Sequence, residues 1–491
     1  MKSITKYILT FLLIGGLSIG CNKDYLEVDP TQQLSSEQIE QAAENNPDIL
    51  KALMNGAYTM MFEPGTGGTD LDHDDFGQKG YDIYSDMLSG DLALSVSTYG
   101  WYRGITELTT TVDYTSINNY KVWRYYYRII RTSNSIIKAA GGNDAIPELE
   151  ENQHILGQAK ALRAYAYFYL AQFFQEKYDP AELILPIYTD PDQPNQPKSS
   201  AADVYSLILN DLNSAASLLE TFTRNARNEI DLSVVYGLMA YTYGAQGDYD
   251  NMKTYSNLVI TTGNYSIVSS EEALGGFNNV NTSDWMWGVD ITTDNGIDLV
   301  SWWGQMDIFT YSYQWAGDKK AMDQSLFDAI SDDDVRKQQF LDAPGTDNHL
   351  IPYYKFYDPD REIGGQRVIT TDYIYMRVAE MYLLNAEASA MTGDEATAKD
   401  MLKSILELRI PDTSYIDALA GQDLIDEIYL QTRIELWGEG KSYLAMKRNK
   451  AIIKRGSNHL SNVGVEISYD DDRLTFEIPQ SEIQNNPFIN E

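Results

Sequence analysis

Sugars present flat C–H faces that stack on aromatic rings, and their hydroxyls need amide, carboxylate or guanidinium partners. The placement of tryptophan and tyrosine is therefore the first chemistry to weigh in a chain with 8 Trp and 36 Tyr. Most tyrosines recur at helical spacing and read as core. The tryptophans do not. Trp285, Trp287, Trp302, Trp303 and Trp315 fall in a Gly- and Asn-rich stretch, and Trp101 lies with Tyr99 and Tyr102 in "STYGWYRG". In "DWMWGVDI" the alternation puts Trp285 and Trp287 on one face of a strand, which favours burial. In "SWWGQMD" two adjacent rings stand beside Gly304, and from a strand or loop both cannot point inward. This predicts displayed rings at Trp302 and Trp303.

Catalytic patterns are weaker. "GLSIG" at Gly16–Gly20 spells a nucleophile-elbow string, but inside an N-terminal apolar run and without the strand–turn–helix it needs. The four histidines, His73, His154, His349 and His459, are far apart and form no His-x-x-x-His pair, which argues against a zinc hydrolase. "GTGG" at Gly65–Gly68 lacks the lysine of a phosphate loop. A glycosidase needs two carboxylates at a set separation, and none of the 72 acids is singled out. Asp70, Asp72 and Asp74 of "DLDHDD" alternate as in a calcium loop. Asp75 and Tyr81 then stand where its Gly and Glu belong, so a solvated acidic loop is expected, with no metal site and no cofactor placed. Asp332–Asp334 with Arg336 reads as helix capping and local ion pairing. In "RYYYRIIRTSN" Tyr127, Ile130 and Asn134 share a helical face, which reads as core with a buried amide.

The single cysteine has its own logic. Lys2 and Lys6 precede an uncharged, nearly all-apolar run from Tyr7 to Ile19, and Gly20 stands just before Cys21. That is the order of a secretory signal, too short for a confident membrane span, and a cysteine at the cleavage point suggests lipidation. Ser18 occupies the position where such signals usually carry Leu. One cysteine leaves no intramolecular disulfide. The formal charge is −35, and −37 once Lys2 and Lys6 leave, which excludes a phosphate-binding nucleic-acid surface and electrostatic docking on anionic lipid.

The elements that must position these residues are mainly helical. Helical patterns cover Glu37 to about Met61, Tyr81–Leu88, Lys121–Ala140, His154–Gln175, Ala202–Glu220 and Ser233–Ala245, and later Tyr373–Thr392, Glu395–Leu408 and Leu424–Asn449. Between 262 and 366 the chain reads as irregular with a few short strands. "YGLMAYTYGAQGDYDNMKTYSNLVI" and "YLLNAEASAMTGDEATAKDMLKSIL" are alike: a small-residue helix, a Gly-Asp turn and a second helix. Gly takes the positive-φ stop and Asp caps the second helix. This is similar to the tetratricopeptide pattern, with the two helices between 121 and 175 as a third pair.

Read in order, "CNKDYLEVDPTQQLS", "WRYYYRIIRTSNSII", "GQAKALRAYAYFYLAQFF" with "LPIYTD", "DDDVRKQQF", "YIYMRVAEMYLLNAEA", "RIELWGEGKSYLAMKR" and "IPQSEIQNNPFI" resemble the SusD/RagB family of nutrient-binding outer-membrane lipoproteins. Lys441 stands where the family usually has Arg. The resemblance implies a mainly α fold, a tetratricopeptide-like scaffold with a loop-rich insert carrying a few short strands. The expected division is a signal peptide at 1–20, a tether at 21–36, helical regions at 37–261 and 373–491, and the ligand-binding insert at 262–372. It implies a non-enzymatic surface lipoprotein, anchored to the outer membrane of a Gram-negative bacterium through Cys21. Such a protein captures oligosaccharide and hands it to a SusC-like TonB-dependent transporter. Peptide capture and a surface glycoside hydrolase are the alternatives. The glycan-binding residues expected on this basis are Trp302, Trp303, Trp101, Tyr102 and Trp315. Some members bind calcium, so a site elsewhere in the chain stays open.

Overall fold

The computed structural model describes residues 36–43, 45–70 and 72–490. Cys21, with the signal peptide and all but the last residue of the tether, lies outside the described residues.

The scaffold is a succession of antiparallel helices, each packed on the next. Ile117–Ala139 packs on Glu150–Phe174, which packs on Ala201–Leu218, then Leu232–Gln246, then Tyr249–Thr262. The chain then leaves the stack for more than a hundred residues. When it returns, helix Val378–Met391 docks directly on Tyr249–Thr262 and is followed by Glu395–Leu406. The two look-alike sequences are thus spatial neighbours. Their turns have the same chemistry. Gly247 (φ 76°) and Gly393 (φ 81°) take the left-handed stop, and the Asp248 and Asp394 carboxylates accept from the backbone N–H of Asn251 and Thr397. Lys253 joins the two turns through Asp394 at 2.5 Å. A Cβ at Gly244 would stand 2.8 Å from the Met252 sulfur, so the glycine lets the helix pair close without moving that side chain.

The helices expected from Tyr81, Lys121 and His154 start three to four residues earlier, at Gln78, Ile117 and Glu150, and three other stretches differ in kind. The first helical stretch is two helices, Ser36–Ala43 and Pro47–Thr59, because Asn46 caps the second and Pro47 stands in its first turn. The helix expected from Tyr373 begins at Val378, since Tyr373–Arg377 is a strand paired antiparallel with Trp285–Val289. The stretch from Leu424 to Asn449 is broken after Gln422–Glu435 by Gly438 and Gly440, both at positive φ, before Ser442–Arg448 resumes.

The insert is held by short two-stranded ribbons. Trp285–Val289 with Tyr373–Arg377 closes its base, and Asp318–Met322 pairs antiparallel with Leu92–Ser97. Beneath the base lies a buried ionic network. Arg377 meets Glu435 (2.9 Å), Glu439 (2.8 Å) and Asp284 (3.3 Å). Arg409 and Arg336 also converge on Glu435, Arg336 carries Asp334 at 2.6 Å, and Lys355 pairs with Glu439. Burial alone would push the Glu435 carboxyl up, but the guanidinium groups of Arg409 and Arg377 hold it well below the usual range. Asp284, with less compensation, is pushed up to about 7 by burial. Asp334 also accepts from the Arg336 backbone N–H, the local capping and pairing expected of "DDDVR". Asn134 is the buried amide expected of "RTSN": it donates to the Tyr188 carbonyl and accepts from Arg163, which is forked onto Asp211.

Candidate functional site

The site is built on three consecutive charged residues, Asp318, Lys319 and Lys320, all buried in the strand Asp318–Met322. The Asp318 carboxylate receives the backbone N–H groups of Thr98 (2.6 Å), Tyr99 (2.8 Å) and Trp101 (3.2 Å). A buried carboxylate needs such donors, and a turn that must point aromatic side chains outward needs its amides tied down. Gly100 (φ 89°) and Tyr102 (φ 66°) complete that turn. Lys319 donates to the Gln314 and Trp315 carbonyls at 2.6 and 3.1 Å, closing the C-terminal end of the short helix Tyr313–Ala316. Lys320 donates to Gln305 Oε1 (2.5 Å) and to the Asp318 carbonyl, with its ammonium 5.0 Å from the centre of the Tyr102 ring. Burial pulls the Lys320 ammonium down to about 7, partly opposed by Asp318.

These supports bring together rings from three separate stretches. Trp101 stacks on His73, centroids 5.1 Å apart and planes 5° from parallel. Tyr313 meets His73 edge-on at 5.1 Å and Trp101 at 6.0 Å, and Tyr99, 59% exposed, meets Tyr313 edge-on at 5.2 Å. Burial lowers the His73 pKa, which favours the neutral ring. The His73 carbonyl accepts from Gln305 Nε2, the amide whose oxygen holds Lys320. A second aromatic pair lies beside these rings: Trp315 of the same short helix, 40% exposed, packs at 5.2 Å on Tyr311, two residues before that helix. Gly364 lies flat against the Trp315 indole, where a Cβ would stand 2.6 Å from the ring, and Arg367 covers Tyr311.

His73 is delivered by the "DLDHDD" loop, which is not solvated as expected. Asp75 is buried and accepts from Gly67 N–H (2.8 Å), Thr69 N–H and Oγ1, and the Tyr81 hydroxyl. Asp74 is buried against Lys121 and accepts from Tyr84 and Asn118, and Asp72 also pairs with Lys121 at 3.3 Å. Alternate acids of the loop are thus engaged by one lysine of helix Ile117–Ala139, Asp72 is partly exposed, and Asp70 faces water.

Of the five expected glycan contacts, Trp101 and Trp315 reach the surface. Trp302 and Trp303 do not: they are 2% and 0% exposed. The sequence argument assumed a strand or loop, where neighbours point opposite ways. Ser301 instead caps a helical turn, Trp302–Met306, in which neighbours diverge by about 100°, so a turn enclosed by other elements buries both. Trp302 lies edge-on to Phe356 at 4.8 Å with Lys79 over its face, and the Trp303 indole donates to the Asp372 carbonyl. Tyr102 is also buried, edge-on to Tyr84 and under Lys320. Trp285 and Trp287 are both core. His73, Tyr313 and Tyr311 were not anticipated as site residues. The aromatic alternation "YSYQW" was the available signal for the two tyrosines, whereas His73 carried none.

Known proteins share this architecture. The SusD family model matches residues 308–491, and a second model, described as starch-binding associating with outer membrane, matches residues 24–243. A SusD-like protein of Formosa agariphila is 24% identical, with 92% of this chain and 93% of that protein aligned. A solved SusD-like carbohydrate binding protein of Bacteroides vulgatus superposes with a TM-score of 0.75 at 26% identity, covering 90% of this chain and 97% of that one. A SusD superfamily protein of Bacteroides thetaiotaomicron superposes with a TM-score of 0.76 at 24% identity, over 90% and 99% of the two chains.

Proposed function

The chain belongs to the SusD/RagB family, and we propose that it binds an oligosaccharide on the Tyr99–Trp101–His73–Tyr313 surface and releases it chemically unchanged. The observation that carries this reading is the display itself. A buried carboxylate ties down three amides so that aromatic rings from distant stretches meet at the surface, where exposed apolar area has an energetic cost unless something covers it. Stacked rings suit the C–H faces of a sugar better than the extended backbone of a peptide, and nothing in the site pairs carboxylates for hydrolysis. The resemblance adds a lipid anchor at Cys21, an exterior-facing place on the outer membrane, and transfer to a TonB-dependent transporter.

Calorimetric titration with a panel of neutral and acidic oligosaccharides tests the site. Trp101→Ala should weaken binding roughly tenfold, the order of one lost aromatic contact of about 1–1.5 kcal/mol, and leave melting nearly unchanged. Equal affinity for the variant and wild type would place the ligand elsewhere. Product formation detected by mass spectrometry would defeat the non-enzymatic reading. Affinity capture from detergent-solubilised outer membrane should recover one large barrel protein, and recovery of the chain alone would count against transfer.

A further inference from the structure

Helix Ile117–Ala139 turns a second surface toward solvent. Arg124, Arg128 and Arg131 are four and three residues apart, so they share a face, and all three line a cleft of about 690 Å³. Arg128 is committed, donating to the Thr66 carbonyl at 2.8 Å. Arg124 lies over the Tyr120 ring and against Gly68, and Arg131 is exposed. Among the described residues neither Arg124 nor Arg131 forms an ion pair.

The acids lining the cleft hydrogen-bond to groups other than these arginines, and Lys138, helped by Arg131, holds the exposed Asp192 carboxyl below its usual value. Lys138 holds Asp192 at 2.7 Å and Asp190 at 3.6 Å, and Glu482 accepts from the Trp123 indole and the Asn486 amide. Two guanidinium groups on one cleft, neither in a direct ion pair, stand out in a chain of charge −35, where acids outnumber bases about two to one. The remaining wall mixes amides such as Gln193, Asn195 and Asn485 with aromatic rings, of which Tyr127 and Tyr188 meet edge-on at 5.9 Å. Forked guanidinium donors match carboxylate and sulfate oxygens, and rings beside them accept the face of a sugar.

We propose that this cleft is a second saccharide-binding site, selective for oligosaccharides that carry carboxylate or sulfate groups, with Arg124 and Arg131 as the anion-recognising residues. The saccharide part rests on the carbohydrate-binding reading above; the charge selectivity rests on the cleft. The cleft and the aromatic surface share the 63–76 loop, which sets Gly68 against Arg124 and carries His73 to Trp101.

The test is calorimetric titration of the purified full chain with three probes of equal length: a trigalacturonate, a sulfated galactotriose and neutral galactotriose. The acidic trimers should bind more tightly than the neutral one and lose affinity several-fold between about 50 and 300 mM salt, where screening of an exposed charge pair sharpens. The carboxylated and sulfated arms report which anion is preferred. Arg131→Gln and Arg124→Gln should each lower acidic-trimer affinity roughly tenfold with unchanged melting, and leave neutral-trimer affinity as in wild type. Equal binding of acidic and neutral trimers overturns the inference, as does wild-type affinity in both arginine variants or no binding of either acidic trimer. Loss of acidic binding in Trp101→Ala alone also overturns it, while leaving the proposed function standing.

Discussion

Asp318→Asn probes the aromatic surface without needing its ligand. In the native chain one oxygen of Asp318 takes the Thr98 and Tyr99 amides and the other takes the Trp101 amide. A hydrogen bond to a charged group contributes about 1.5–3 kcal/mol and a neutral one about 0.5–1.5. Asparagine keeps one acceptor oxygen for Thr98 and Tyr99 but turns an NH₂ toward the Trp101 N–H, so one bond is lost and two are weakened. The local opening free energy of the turn should fall by roughly 3.5–6 kcal/mol, or at least about 300-fold in its opening constant. Amide hydrogen exchange read residue by residue is the assay. Tyr99 and Trp101 should exchange faster by that factor, while amides of the helix Glu150–Phe174 keep their protection. Near-ultraviolet circular dichroism should lose signal from the Trp101–His73 stack, and oligosaccharide affinity should fall with it. Unchanged exchange at Tyr99 and Trp101 in a correctly folded variant would refute the claim that Asp318 holds the turn.

Trp303→Ala should lower unfolding free energy by about 3–5 kcal/mol, the cost of emptying a fully buried aromatic site; denaturant titration checks this, and a loss below about 1 kcal/mol would return Trp303 to the surface. Arg377→Met should cost about 3–5 kcal/mol, because Glu435, Glu439 and Asp284 lose their shared cation in a buried setting; near-wild-type melting would mean the network contributes little. Lys320 gives a pH signature. Its folded value of about 7 lies below the roughly 10.4 of an unfolded lysine, so between these the unfolded chain binds the extra proton, and this group's contribution to stability rises with pH. Relative to Lys320→Met, the wild type should gain stability from pH 6 to pH 9, by at most about 1.4 kcal/mol per pH unit; parallel melting curves across that range would exclude the effect.

The stretches that carry the family resemblance turn out to be structural. Asp334 and Arg336 of "DDDVR", Arg377 of "YMRVAE", and Glu435 and Glu439 of "ELWGEG" meet in one buried ionic network, and Arg163 of "ALRAYAY" holds Asn134 of "RTSN". Buried charges need partners of fixed type and geometry, so these residues can be read in order along a sequence whose ligand contacts they do not form.

Local physics made the helical scaffold legible. Apolar periodicity is written within each helix, and the Gly-Asp turns at 247–248 and 393–394 are closed by neighbours three residues away, so no distant residue is needed to recognise them. The surface was not legible in that way. Whether a tryptophan is displayed depends on what packs over it, and for Trp302 and Trp303 that is Phe356 and Asp372, far along the chain. The turn bearing Trp101 is held by Asp318, 217 residues on, and the loop bearing His73 by Gln305, 232 residues on. Three consecutive charges at Asp318, Lys319 and Lys320 carry no mark of burial in a one-dimensional pattern. Only the folded chain supplies the amides and carbonyls that make burying them affordable, and so decides which rings face solvent.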